Sequence, residues 1–271
     1  MKKLKIKQLI LLIISLILFI MLIISIVNII TWILDSNNTN NQIEEIQNIV
    51  NIEESNDNEN TEIIEQENID ENNPYWDYIK MNLINVDFNE LKTINNQTVG
   101  WIQVSGTNIN YPFVQATDNN YYLTHSFDQS YNKAGWVFLD YRNNLQTLDK
   151  NTIIYAHNRA DKTMFGTLRN TLNSNWLNNT NNHIIKLSTE YENSLWQIFS
   201  VYHVETTNDY LEINFNTDDN FIDFANMLID RSIYNFNTTI NENDHILTLS
   251  TCYTDAEKMV IHAKLIKKET R

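Results

Sequence analysis

The sequence predicts a mainly β fold: an eight-stranded β-barrel with helices at its N-terminal side and one helix between its late strands, preceded by a single transmembrane helix. Three observations predict it. Leu9 to Val27 is apolar except for Ser15 and Ser25, and the apolar character continues through Ile29, Ile30, Trp32 and Leu34. A run of about 20 apolar residues spans a bilayer as a helix. From about Ile84 onward, short β-type runs alternate with turn residues. Eight such runs with few helices between them fit a closed barrel better than a layered α/β fold.

Taken in order, residues 1–7 form a basic tail with Lys2, Lys3, Lys5 and Lys7, and no acid precedes Asp35. Lysines flanking a span on one side assign that side to the cytoplasm. The apolar region 8–34 leaves through Trp32-Ile33-Leu34-Asp35, without the small-residue exit of a cleaved leader. It therefore reads as an uncleaved signal anchor, with the rest of the chain outside the cell. Residues 35–74 are rich in Asn, Glu and Asp, a composition that favours a flexible acidic spacer. Within it, Ile43, Ile46 and Val50 carry helical spacing. Pro74 followed by Tyr75, Trp76 and Tyr78 reads as a helix start at the edge of the main domain, 75–271.

The candidate strands of that domain are Thr98–Val104, Tyr111–Gln115, Gly135–Asp140, Thr152–His157, His183–Ser188, Leu195–Glu205, Ile246–Cys252 and Lys258–Lys267. Helical patches fall at Met164–Leu172 and Asp219–Ile233; in the second, Phe221, Phe224, Met227 and Leu228 share a stripe. Hydrophobic residues make up 42% of the chain, enough for a normal core, with Trp101, Trp136, Trp176 and Trp196 read as part of it. A net charge of -15 argues against nucleic acid as a partner, because phosphate binding needs a basic face.

The single cysteine excludes an internal disulfide framework. Cys252 ends the β-branched run Ile246-Leu247-Thr248-Leu249-Ser250-Thr251, and His157 ends a second, Thr152-Ile153-Ile154-Tyr155-Ala156. Two strand ends meeting at one barrel rim can bring a thiol to an imidazole, and the thiolate is the attacking species in acyl transfer. Spacing alone leaves this pairing open beside a buried cysteine and an unrelated loop histidine. His125, His183, His203 and His245 stand singly with no metal-ligand cluster around them, and His262 sits in mid-strand as a structural residue. Asp140, Asp161 and Asp255 are the acids that could orient His157.

The wider context of these residues resembles the class B sortases. Thr248-Leu249-Ser250-Thr251-Cys252 is similar to the family's cysteine strand. Ile154-Tyr155-Ala156-His157-Asn158 with Met164-Phe165-Gly166-Thr167-Leu168 resembles its histidine signature, with Ala156 where glycine is usual. Val99-Gly100-Trp101-Ile102, Gly106 to Gln115, Tyr121 to His125, Asn132 to Gly135 and Phe138 to Arg142 agree in the same order. The resemblance runs from about residue 75 to 268. It implies an eight-stranded barrel behind a membrane helix, and a cysteine transpeptidase with no metal or organic cofactor. By the same resemblance Cys252 is the nucleophile, and His157 protonates the leaving amine. Tyr155, Ser250 and Thr251 line the substrate groove. The implied partners are secreted proteins with a C-terminal sorting motif, of Asn-Pro-x-Thr type, and a cell-wall peptide precursor as amine acceptor, or a pilin lysine if the chain polymerises pilins.

The family's arginine on the strand after the cysteine is missing. Val260-Ile261-His262-Ala263-Lys264-Leu265 matches that strand, and Lys258 stands where the arginine is expected. Lysine keeps the charge and loses the planar fork of donors. Lys258 therefore takes the catalytic role, or Arg142 or Arg159 reaches in, or the protein binds its motif with little turnover.

Overall fold

The computed structural model describes residues 6–66, 69–254 and 256–271. Lys2, Lys3 and Lys5 of the basic tail lie outside these. The chain opens with α1, Ile6–Ile49, which is long and apolar enough to cross a membrane. Short elements follow: strands β1 (Ile52–Ser55) and β2 (Thr61–Ile63), helix α2 (Tyr75–Tyr78), strand β3 (Leu83–Val86) and helix α3 (Asn89–Ile94). The barrel strands are β4 (Thr98–Val104), β5 (Asn110–Val114), β6 (Phe138–Leu139), β7 (Asn151–Tyr155), β8 (Ile184–Thr189), β9 (Glu192–Glu205), β10 (Ile246–Cys252) and β11 (Glu257–Thr270). Helix α4 (Ser174–Leu177) lies between β7 and β8, and α5 (Asp218–Arg231) between β9 and β10.

These eight strands close on themselves in the order β10-β7-β6-β5-β4-β8-β9-β11, with β10 also paired to β11. The expected eight-stranded closed barrel is observed. Trp101, Trp136 and Trp196 fill its core beside Phe113, Phe138 and Phe165, all fully buried. A second cluster covers the outer face of β9 and β11. There Phe221, Phe224 and Leu228 of α5 pack on Phe199, Tyr202 and Val260, so the apolar stripe of α5 is its buried face.

The spacer expected over 35–74 is corrected by the structure. α1 continues unbroken to Ile49, β1 pairs with β3, and β2 pairs with the end of β11. Acidic composition did not leave these residues loose because their partners are specific. Ser55 and Asn58 both donate to Glu269, and buried Lys267 forms an ion pair with Asp57. Several elements are shorter than expected, among them β7, which ends at Tyr155 and leaves His157 just beyond the strand. Only Phe138–Leu139 of the Gly135–Asp140 run is strand, since Gly135 turns the chain at φ 62°. The helical patch Met164–Leu172 forms only a 3-10 turn at Leu168–Leu172, because Met164 holds a φ of 52° that helix cannot use.

Candidate active site

The site is built by the ends of three strands. β10 lies parallel to β7, with Ser250 opposite Tyr155, so both strands point their C-terminal ends at the same rim. Both strands are buried along nearly their whole length, and their polar side chains Asn151, Thr248 and Ser250 are hydrogen-bonded there. Two residues beyond that pair stand Cys252 on β10 and His157 just after β7. Thr251 fastens the two ends by donating its hydroxyl to the Ala156 carbonyl at 2.7 Å. β11 returns antiparallel to β10 and sets Lys258 directly opposite Cys252. Residues directly opposite in an antiparallel pair present their side chains on one face.

The result is a groove of about 520 Å³ whose floor includes Tyr155, His157, Ser250, Cys252 and Lys258. Asn119, Asn120 and Leu123 form one wall, and Thr206 to Asn208 with Tyr210 and Leu211 form the other. All six site residues proposed from the sequence line this groove. Cys252 is a free, exposed thiol. The Lys258 ammonium donates to its sulfur, with Nζ 3.3 Å from Sγ. His157 places Nε2 2.8 Å from the Leu123 carbonyl oxygen. A carbonyl can only accept, so Nε2 carries a proton and Nδ1 is the nitrogen left to exchange one with a substrate. Gly135 makes this arrangement possible. A Cβ there would stand 2.9 Å from His157 Cδ2 and 2.5 Å from the Tyr122 carbonyl oxygen.

Asp140, Asp161, Arg142 and Arg159, considered from the sequence, are paired with one another. Burial alone would raise the Asp140 carboxyl, but donors from Arg142, Asn119 and Tyr155 outweigh it and hold it below the usual range. Arg142 meets Asp140 through both Nε and Nη2, at 2.9 and 2.8 Å. The Tyr155 hydroxyl donates to Asp140 at 2.9 Å, and burial first, then the Asp140 charge, raises the Tyr155 phenol. Ser250 is hydrogen-bonded to Tyr210 at 3.0 Å. Arg159 is paired with Asp161 at 2.7 Å, away from the sulfur. Asp255 lies outside the described residues. Among the described residues, His157 is hydrogen-bonded to the Leu123 backbone carbonyl, which residue identity does not announce. No group of His, Cys, Asp and Glu suited to a metal ion occurs among the described residues.

Sequence-reading also passed over Arg169. Its Nη2 donates to the Tyr253 carbonyl at 2.7 Å, and its guanidinium lies 4.6 Å from the centre of the Tyr253 ring. His203 stacks on the same ring at 4.6 Å, so the residue after Cys252 is clamped from two sides. Arg169 stands between Leu168 and Asn170, 84 positions from Tyr253, so residue type and spacing did not select it.

Known proteins resemble this chain in sequence and in fold. Residues 102–266 match the family model described as Sortase domain. Sortase B of Listeria monocytogenes is 37% identical over 190 residues, covering 67% of this chain and 75% of that protein. The crystal structure of sortase B from B. anthracis in complex with AAEK1 superposes with a TM-score of 0.68 at 31% identity, covering 87% of this chain and 99% of the other. A crystal structure of sortase B complexed with triglycine gives a TM-score of 0.63 at 34% identity, covering 66% and 85%.

Proposed function

The chain belongs to the sortase family and is a cysteine transpeptidase of class B type, and from that premise we propose that it cleaves a C-terminal sorting motif through Cys252 and passes the acyl group to a cell-wall amine. The observation that carries the reading is the Lys258 ammonium on the Cys252 sulfur, in the groove that His157 also lines.

In the first step the Cys252 thiol passes its proton to His157 Nδ1, and the thiolate attacks the carbonyl carbon of the motif's threonine. A C–S bond forms and negative charge moves from sulfur to the carbonyl oxygen. Lys258 is close enough to follow that charge, in the role that oxyanion donors play in acyl transfer. As the C–N bond breaks, His157 gives a proton to the departing amine through Nδ1, while Nε2 stays on the Leu123 carbonyl. An acceptor amine then attacks the thioester, loses its proton to His157 and releases Cys252. Tyr155, Ser250 and Thr251 shape the floor against which the motif lies. Arg142 and Arg159 are held by acids, which favours Lys258 as the cation of the reaction.

The motif is of Asn-Pro-x-Thr type, and the acceptor is an amine of a cell-wall peptide precursor. The triglycine complex of a related sortase B supports a small amine at this site. α1 anchors the chain with residues 1–7 in the cytoplasm and the catalytic domain outside, which the lysines before the span support. The full chain is incubated with Asn-Pro-x-Thr peptides, with and without oligoglycine or a diaminopimelate-containing peptide, and examined by mass spectrometry. An acyl adduct on Cys252 and a transfer product are expected. A folded protein with a free thiol and no adduct on any peptide would overturn the reading in favour of a motif-binding barrel.

A further inference from the structure

Helix α1 does not stop where its apolar run ends. Beyond Leu34 it continues to Ile49, and Ser36, Thr39, Ile43, Ile46 and Val50 fall at three- and four-residue steps along one stripe. The far end of the stripe is apolar, and Ile46 joins the barrel core. The end next to the apolar run is polar and buried. The Ser36 hydroxyl donates to Asp161 Oδ2 at 2.5 Å and accepts from Arg159 Nη2 at 2.6 Å. The Thr39 hydroxyl accepts from Asn132 Nδ2 at 3.1 Å, and the same amide reaches the Asp35 carbonyl at 3.2 Å. Trp32, the last aromatic of the apolar run, lies under the Arg159 guanidinium at 5.9 Å.

The residues that α1 touches belong to the two segments that hold His157. Arg159 and Asp161 lie in the loop that leaves His157, closed by the Phe165 amide on the His157 carbonyl at 3.0 Å. Asn132 closes the turn that ends at Gly135, whose bare Cα faces the imidazole, and its amide N–H bonds the Thr124 carbonyl next to Leu123. Asp161 also shows how well satisfied the contact is. Burial by itself would raise its carboxyl, and donors from Arg159, Ser36 and Thr163 hold it well below the ordinary range instead.

We propose that the docked extension of α1 positions the catalytic imidazole, with Ser36 and Thr39 as positioning residues that act on His157 through Arg159–Asp161 and Asn132. The inference rests on the role of His157 proposed above. It makes the membrane helix part of the catalytic machinery: a change in how α1 leaves the bilayer reaches the groove through two polar contacts.

The test compares the full chain with S36A/T39V in lipid nanodiscs. Residue-resolved imidazole nitrogen NMR reads the tautomer and ring order of His157 without needing turnover, with His203 as an internal reference. The variant is expected to shift or broaden the His157 ring signals. It should also lower kcat for peptide transfer roughly tenfold, with KM held within about twofold. The hydroxyl-keeping variant S36T/T39S should match the parent in both. Unmoved His157 ring signals with kcat within about twofold overturn the proposal. So does a loss that follows a fall in Tm and is not rescued by S36T/T39S, since α1 would then be scaffold only. If the parent chain transfers no peptide, the transpeptidase reading of His157 fails, and the ring signals still decide whether α1 reaches the imidazole.

Discussion

At the scale of single residues, the site turns on which cation serves the sulfur. Arginine would offer a planar fork to a sulfur and an oxyanion at once, whereas lysine offers one compact charge on a flexible stem. At 3.3 Å from Sγ, the Lys258 ammonium can follow charge from sulfur to oxygen with little movement. Lys258→Met is therefore expected to lower kcat/KM by roughly 10²-fold, and Lys258→Arg to keep or raise it. Peptide-transfer kinetics check both, and a large loss in the arginine variant would mean that the groove has been rebuilt around lysine. Cys252 is exposed, so Cys252→Ala should abolish the thioacyl adduct and leave Tm unchanged; an adduct surviving that change would remove Cys252 from the mechanism. Gly135→Ala sets a Cβ against the Tyr122 carbonyl and the His157 ring at a positive φ. It should cost about 1–2 kcal/mol in backbone strain and lower kcat with it, read from Tm and transfer rate together. That Cys252 and His157 lie at one rim was legible in the sequence because each follows a β-branched run in a family-like context. The Leu123 carbonyl was not, because a backbone acceptor carries no residue-type signal.

At the scale of elements, the strands that build the site were the most legible. β4 and β10 have the bounds their β-branched runs predict, because they are buried in the barrel wall and their pattern is unbroken. β1 and β2 were illegible because their residues are Asn- and Glu-rich, and edge pairing with β3 and β11 decides their state. β11 carries the clearest pH-dependent element. His262 is fully buried, and burial first, then the charge of Arg231, pushes its imidazole down to about 3 from an ordinary 6.5. Thr248 donates to Asn151 and so accepts from His262 Nδ1, and the neutral ring then takes the Tyr202 hydroxyl hydrogen at Nε2. The unfolded chain binds this proton first. Stability is therefore complete above pH 6.5 and falls as the pH drops from there toward 3. By pH 5 the loss from this group is about 2 kcal/mol, or roughly 5 °C in Tm. Burial lowers His183 and His245 in the same direction, so His262→Gln should flatten the Tm–pH slope without removing it. An unchanged slope in that variant would mean that His262 is already charged in the fold.

At the scale of the whole molecule, the sequence suggested a span, a loose acidic spacer and a barrel beginning near residue 75. The barrel and the helix long enough to span are present, but the spacer is part of the fold. The reason is physical and lies in the other half of each contact. Lys267 is fully buried on β11 and leans on Asp57 and on the carbonyls of Ile79 and Met81. Glu269 is buried against Ser55 and Asn58. Ile46 fills core space between α1 and the barrel. None of these needs shows in residues 35–74 themselves, because the charge that selects them sits more than 180 positions later. A fragment starting at residue 75 therefore leaves a buried ammonium without its counter-ion, at a cost of roughly 3 kcal/mol. It also strips β2 from β11 and leaves the β1 side of β3 unpaired. A fragment starting at residue 36 keeps all of these contacts. The expected result is a Tm for the 75–271 fragment lower than that of the 36–271 fragment by roughly 10 °C. Lys267→Met should narrow that gap, since the shorter fragment then has no unpaired charge to bury. Equal midpoints for the two fragments, measured by the same thermal scan, would show that the acidic segment is only tethered to the barrel and that its paired strands add nothing to the fold.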